Sequence, residues 1–226
     1  MLIRVIDFET TGLPPDAAVC EVGWCDVSAT EDDVSVFAPV SHLCNPGRPI
    51  PPEAMAVHHI TDEEVAAAIS PDRAFGLAMA GADVFAAHNA EFEQHFFAGG
   101  SVPWICTWKV AVRLAPSAPS HGNQVLRYWL KLAVDQALAQ PAHRAGPDAY
   151  VTAHLLARML KKMNAPEMIS ISAEPALLPR LNFGKHAKVP IEDVPDDYLE
   201  WCLRQDMDAN VKHTARHHLN ARRAAQ

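Results

Sequence analysis

Leu2-Ile3-Arg4-Val5-Ile6-Asp7-Phe8-Glu9-Thr10 is an apolar, β-branched run that ends in two carboxylates and breaks at Thr11-Gly12-Leu13-Pro14-Pro15. It reads as a β-strand closed by a turn. Strand side chains alternate between faces, so Asp7 and Glu9 project to one side, roughly 7 Å apart at about 3.4 Å of rise per residue. Two carboxylates on one face of a buried strand repel each other and resist ionisation unless cations neutralise them. The arrangement points to divalent metal, whereas an acidic end on an exposed edge strand would make no demand on the rest of the chain.

Working outward, residues 17–27 and 34–44 are again β-branched and apolar, and the acidic turn Ala29-Thr30-Glu31-Asp32-Asp33 separates them. They predict two further strands in a meander with the first. The stretch 45–52 contains Pro46, Pro49, Pro51 and Pro52 and reads as a rigid loop. Thr61-Asp62-Glu63-Glu64 has the form of a capping box opening a helix to Ala68, and Pro71 starts another to about Ala80. Residues 83–87 read as a short buried strand that delivers His88-Asn89, followed by a helical turn or two over 91–97 carrying Phe92, Glu93 and Phe96. A strand over 103–107 and helices over 108–114 and 123–132 follow. Strands first, then helix and strand in alternation, indicate an α/β or α+β sheet with helices against it.

His143-Arg144-Ala145-Gly146-Pro147-Asp148 precedes a helix predicted from about Pro147 to Lys162. Val151, Leu155 and Met159 fall one turn apart and form its core stripe, with Asp148 at the head of that stripe. A carboxylate pointing inward there needs a partner. The organisation expected is a first domain over 1–163, a linker over 164–182 with three prolines, and a small module over 183–226. In that module Lys212, Arg216, Arg222 and Arg223 follow the last acidic residue, Asp208. They read as a solvated helix face or a nucleic-acid contact.

Hydrophobic residues make up 49% of the 226, enough for a core, and no apolar run approaches the ~18 residues of a membrane span. The first residues lack a signal peptide's basic and long apolar segments, so the expectation is a soluble protein, cytoplasmic and without membrane association. Five scattered cysteines lack C-x-x-C spacing and read as reduced core residues. Neither His58-His59 nor His217-His218 fits a zinc pattern. A net charge of −8 argues against nonspecific coating of nucleic acid but not against an enzyme acting on it.

Asp7, Glu9, Glu93 and Asp148 supply four carboxylates that could converge with His143. Oxygen-only ligation suits two Mg²⁺ or Mn²⁺ ions, and two such ions ~4 Å apart clamp the attacking and leaving oxygens of a phosphoryl displacement. Asp7-Phe8-Glu9-Thr10-Thr11-Gly12-Leu13, His88-Asn89-Ala90-Glu91-Phe92-Glu93 and His143-Arg144-Ala145-Gly146-Pro147-Asp148 together resemble the DEDD exonuclease superfamily with a catalytic histidine. The resemblance spans residues 1 to about 163. It implies a ribonuclease-H-like mixed sheet flanked by helices, two metal ions, and 3′-to-5′ release of mononucleotides. A narrower resemblance, to the exodeoxyribonuclease X branch, runs from Pro49-Ile50 to His58, through Trp104-Ile105-Cys106-Thr107, and into Phe183-Gly184-Lys185-His186 and Asp196-Asp197-Tyr198-Leu199-Glu200-Trp201. It implies DNA 3′ ends as the partner.

Carried onto this sequence, the resemblance makes Asp7 a bridge between two ions, with Glu9 and Asp148 on one and Glu93 on the other. His143 becomes the general base, a role suited to imidazole with its ordinary pKa near 6.5. Phe8, Thr10, Leu13, His58 and Asn89 fall at substrate-binding positions, with Leu13 as an apolar wedge beneath the terminal base. Glu93 departs from the pattern, which has aspartate there. Two rival readings follow: an exoribonuclease on the same scaffold, with RNA as partner, and a module that binds nucleic-acid ends without cleaving them.

Overall fold

The computed structural model describes residues 1–224. Strand β1 (Leu2–Thr10) is central because both its faces are apolar, Ile3 and Val5 on one and Ile6 and Phe8 on the other, none more than 5% exposed. It pairs antiparallel with β2 (Val19–Ala29), which carries β3 (Val34–Val36) and β4 (Val40–Leu43) on its other side. The stretch 34–44, expected as one strand, is thus two. Pro39 lies between them, and proline has no N–H to give to a ladder.

The proline-rich loop ends sooner than expected, because Pro52 opens α1 (Pro52–His58) at a position where a missing N–H costs little. Helix α2 (Asp62–Val65) is shorter than expected but has its capping box: the Thr61 hydroxyl accepts from the Glu64 N–H, and the Glu64 carboxylate accepts from the Thr61 N–H at 2.8 Å. After α3 (Pro71–Met79), strand β5 (Val84–Ala87) lies parallel to β1. Helix α4 (Ala90–Phe96) leads to β6 (Trp104–Cys106), which is parallel to β5. The sheet order is β3-β2-β1-β5-β6, with β4 also on β2, so the expected mixed α/β sheet is present.

Helices α5 (Thr107–Leu114), α6 (Asn123–Trp129) and α7 (Ala145–Leu160) cover one face. There Ile3, Val5 and Ala86 meet Val151, Leu155 and Leu156, while Ile6, Phe8 and Phe85 pack with Ala74, Phe97 and Trp104 on the other. Helix α7 comes unusually close to β2. A Cβ on Gly23 would lie 2.2 Å from the Ala145 carbonyl carbon, and one on Gly146 would lie 2.3 Å from Ser41 Oγ. Two glycines therefore set the height of the α7 N-terminus over the sheet.

Nine of the nineteen residues expected as linker are helical instead. Residues 165–173 form α8 (Ala165–Ala173), capped by Asn164 and Glu167. Ala165 and Met168 sit in the main core, and Ser172 Oγ accepts from the Cys106 N–H at 2.7 Å. The capping box, Asn164 with Glu167 three residues on, was the signal in the sequence. Beyond it, α9 (Asp196–Arg204) and α10 (Ala209–Ala224) enclose a separate small core of Leu181, Ile191, Leu199 and Leu219. Ala225 and Gln226, the end of the 183–226 module, lie outside the described residues. Among the described residues no helix is long and apolar enough to cross a membrane. All five cysteines are buried free thiols.

Candidate active site

Alternation along β1 decides where the acids go. Ile3 and Val5 face α7, so Asp7 and Glu9, next in the same series, continue that face beyond the apolar core. Asp148 stands in the first turn of α7 and its amide donates to Arg144 O, so the helix start brings its carboxylate to the same place. Carboxylate oxygens of Asp7, Glu9 and Asp148 lie within 4.8 Å of one another. Burial, reinforced by repulsion from Asp148 and Glu9, raises the Asp7 pKa well above the ordinary carboxylate range. Burial and Asp148 push Glu9 up to about 8. Burial also raises Asp148, but less freely, because the His143 N–H and the Gln124 amide both donate to it.

Glu93, in α4, is 3% exposed and its Oε2 has no hydrogen-bond partner. Burial, with a contribution from Glu9, pushes its pKa to about 8, and it adds to the repulsion felt by Asp7. Three carboxylates thus lie within 4.8 Å of one another, and Glu93 stands outside that group but near enough to repel Asp7. His143 occupies the loop before α7 with φ +60°; its N–H donates to Asp148 Oδ2 at 2.8 Å, its side chain is exposed, and its charge lowers the Asp148 pKa.

The residues that hold this loop were not singled out in the sequence. Glu21, opposite Glu9 in the sheet and 1% exposed, accepts two hydrogen bonds from the Arg144 guanidinium, at 2.9 and 2.8 Å, and a third from the Ala145 N–H. Gln124 donates to Asp148 Oδ1 at 2.6 Å and is itself gripped by Arg127, which also bonds Ala139 O and Gln136. A register shift between Glu9 and Thr10 leaves Cys20 as the extra residue of β2 beside the site, a bulge of the kind that re-aims side chains. The one signal for Glu21 was a carboxylate set among Val19, Cys20, Val22 and Gly23.

The remaining expected residues divide. Leu13 is 80% exposed on the turn after β1, and Asn89 is exposed after β5 with φ +75°, so both stand free at the end of parallel neighbouring strands. The Phe8 side chain packs on Phe75 and Phe97 in the core, so only its backbone borders the site. Thr10 is buried and its hydroxyl donates to Gly12 O, which fixes the turn carrying Leu13. His58 is 2% exposed, its Nδ1 accepts from the Ile60 N–H at 3.0 Å and its Nε2 lies 3.8 Å from Cys20 Sγ, so it pins a loop behind the site.

A mixed sheet presenting clustered carboxylates at the end of its central strand defines a nuclease of the ribonuclease-H-like class. The family model described as "Exonuclease", of the RNase T type, matches residues 5–156. The chain is 33% identical to Exodeoxyribonuclease 10 of Escherichia coli (strain K12) over 229 residues, 96% of this chain and 99% of that protein. A DNA polymerase III subunit epsilon-like protein of Rhodobacter capsulatus is 29% identical over 75% of this chain and 25% of its own length. The solved structure of Exonuclease X in complex with 5′ overhanging duplex DNA superposes with a TM-score of 0.66 and 34% identity, covering 75% of this chain and 99% of that one. The nuclease domain of 3′hExo bound to rAMP shares the fold, with a TM-score of 0.56 at 16% identity over 71% of this chain and 92% of that one. The chain belongs to this exonuclease family and is a nuclease acting on nucleic-acid ends.

Proposed function

We propose that the protein removes mononucleotides from DNA 3′ ends in the 3′-to-5′ direction, using two divalent cations and His143 as general base. The observation that carries this is the convergence of Asp7, Glu9 and Asp148 within 4.8 Å, with Glu93 Oε2 buried and unpartnered beside them. Phosphate could not approach three clustered carboxylates and a nearby fourth unaided, and an all-oxygen donor set of this kind fits Mg²⁺ or Mn²⁺. Asp7, Glu9, Asp148 and Glu93 would hold the cations, which supply charge neutralisation and electrophilic stabilisation of the phosphate.

The chain's own residues account for the rest. Asp148 anchors the loop through the His143 N–H, which sets the exposed imidazole beside the acids, where it can take a proton from the attacking water. Glu21 and Arg144 fix the same loop from the other side. Leu13 and Asn89 would receive the terminal nucleotide, a role their exposure at the ends of adjacent strands supports. The preference for DNA rests on the 33% identity to Exodeoxyribonuclease 10 along nearly the whole chain.

The test is parallel digestion of 5′-labelled DNA and RNA oligomers of one sequence with Mg²⁺, Mn²⁺ or EDTA. Mononucleotides and a ladder shortening from the 3′ end of DNA, absent in EDTA and in Asp7→Asn, are expected. Faster loss of RNA would replace DNA as the substrate, and binding without product in either metal would remove the catalytic reading.

A further inference from the structure

Helices α9 and α10 carry a surface strip that the carboxylate cluster does not use. Its aromatic end is built on Gly184, at φ +68°, where a Cβ would lie 2.1 Å from the Tyr198 hydroxyl, so only glycine closes this turn. The Lys185 ammonium stands 5.4 Å from the centre of the Tyr198 ring, and the His186 ring meets it edge-on at 4.6 Å. Tyr198 is thereby buried as a support, 8% exposed. Trp201, just under one helical turn on, leans on it at 5.1 Å and 31° while keeping 38% of its own surface exposed.

Trp201 borders a groove of about 410 Å³ together with Lys185 and Arg204. Arg204 also borders a second groove, of about 400 Å³, with Arg216 and Arg223 on its walls, so the two grooves flank one arginine. Two of the basic residues noted at the chain's end are engaged elsewhere: Arg222 with Asp196, and Arg223 with Glu200 at 3.1 Å. Among the described residues Lys185, Arg204 and Arg216 have no carboxylate within ion-pair distance. Asp197 is the one acid of the grooves outside such a pair. Two unpaired cations beside an exposed indole, with a third in the adjoining groove, contrast with a chain of net charge −8.

We propose that this strip binds single-stranded nucleic acid, one base stacking on Trp201 and the phosphodiester charges meeting Lys185, Arg204 and Arg216. A positively charged groove with an aromatic platform recognises a single strand because every unpaired base offers a π-face, whereas bases in a duplex are stacked on each other. None of these residues belongs to the carboxylate cluster. The inference rests on the exonuclease reading for the strand it names and deepens it by adding a holding site outside the chemistry.

The experiment uses the full-length protein in EDTA, a fluorescein-labelled oligothymidylate long enough to span both grooves, and a blunt duplex as second probe. Trp201→Ala should weaken oligothymidylate binding about 5- to 150-fold, the range set by loss of one base stack, with Trp201→Phe recovering part. Lys185→Gln with Arg204→Gln should make the slope of log K against log salt shallower by about 0.7 per lost contact. Both positions of that pair are exposed, so the test stands even if Trp201→Ala unfolds. Dinucleotide hydrolysis should be unchanged in every variant. Parent-like affinity and slope throughout would overturn the inference while leaving the exonuclease intact, as would equal dependence on Trp201 for the blunt duplex. Trp201-dependent binding by a protein that hydrolyses nothing would keep the strip and overturn the exonuclease reading.

Discussion

Glu93 carries the departure of this chain from the pattern it resembles, and its surroundings define what the longer side chain has to do. Glutamate exceeds aspartate by one C–C bond, about 1.5 Å. Glu93 O accepts from the Phe97 N–H and holds the end of α4, while Oε2 is buried without a partner next to Asp7 and Glu9. Glu91, the other acid of this helix, is tied to Lys109 at 2.9 Å and cannot take its place. We expect Glu93→Gln to lose most activity, Glu93→Asp to keep it, and the parent to run faster with Mn²⁺ than with Mg²⁺; steady-state rates with either metal decide it. His143→Ala should lower the rate roughly 10²- to 10⁴-fold, with metal affinity by calorimetry unchanged. Asp7, Glu9 and Asp148 were legible because strand alternation and helix starts are local rules. Glu21 was not, because its partner Arg144 lies 123 residues away. Nor does sequence show that a histidine such as His58 is buried.

The element that matters most is the start of α7, since it delivers both His143 and Asp148. Its closeness to β2 depends on Gly23, where an added methyl would meet the Ala145 backbone at 2.2 Å and has no flexible side chain to displace. Gly23→Ala should cost about 3 kcal/mol, at the upper end for an overpacked core, and lift the loop from the acids. Urea unfolding and kcat measured on the same variant check this; unchanged values for both would mean that α7 can rise without disturbing the site. Strand and cap signals located β1, β5, α2 and α3 because hydrophobic alternation and capping chemistry act over a few residues. The same local view merged β3 with β4 across Pro39 and left α8 as linker, because three prolines outweighed its one local signal, the Asn164 and Glu167 cap, and its burial against β6 and α5 comes from residues distant in sequence.

At the scale of the molecule, α8 belongs with the sheet, so truncation after Asn164 should strip Met168 and Ser172 from the core and destabilise the nuclease unit. Truncation after Pro175 should leave its melting temperature and dinucleotide hydrolysis near the parent's; equal behaviour of the two truncations would return α8 to linker status. The crowded acids also couple whole-chain stability to pH. A carboxyl whose folded pKa lies above its unfolded one, as for Glu9 and Glu93 at about 8 against an ordinary 4.5, stabilises the fold while protonated and loses that contribution as pH rises through the folded pKa. His88 acts with the opposite sign: burial lowers its pKa to about 4, so its contribution is complete above the ordinary 6.5 and is lost only as pH falls below that. Between pH ~6.5 and ~8.5 the acids therefore supply most of the change left by His88, and the buried thiols, raised from 9.0, add to it only near the upper end. The metal-free protein in EDTA should show a melting temperature that falls across this window, and Asp7→Asn should flatten the fall by removing one of the repelling charges. Mg²⁺ or Mn²⁺ should flatten it as well, because a bound cation takes over the role of the protons. A melting temperature in EDTA that is constant or rising from pH ~6.5 to ~8.5 would show that the four carboxylates already find compensation within the chain, and would remove the physical reason for placing cations among them.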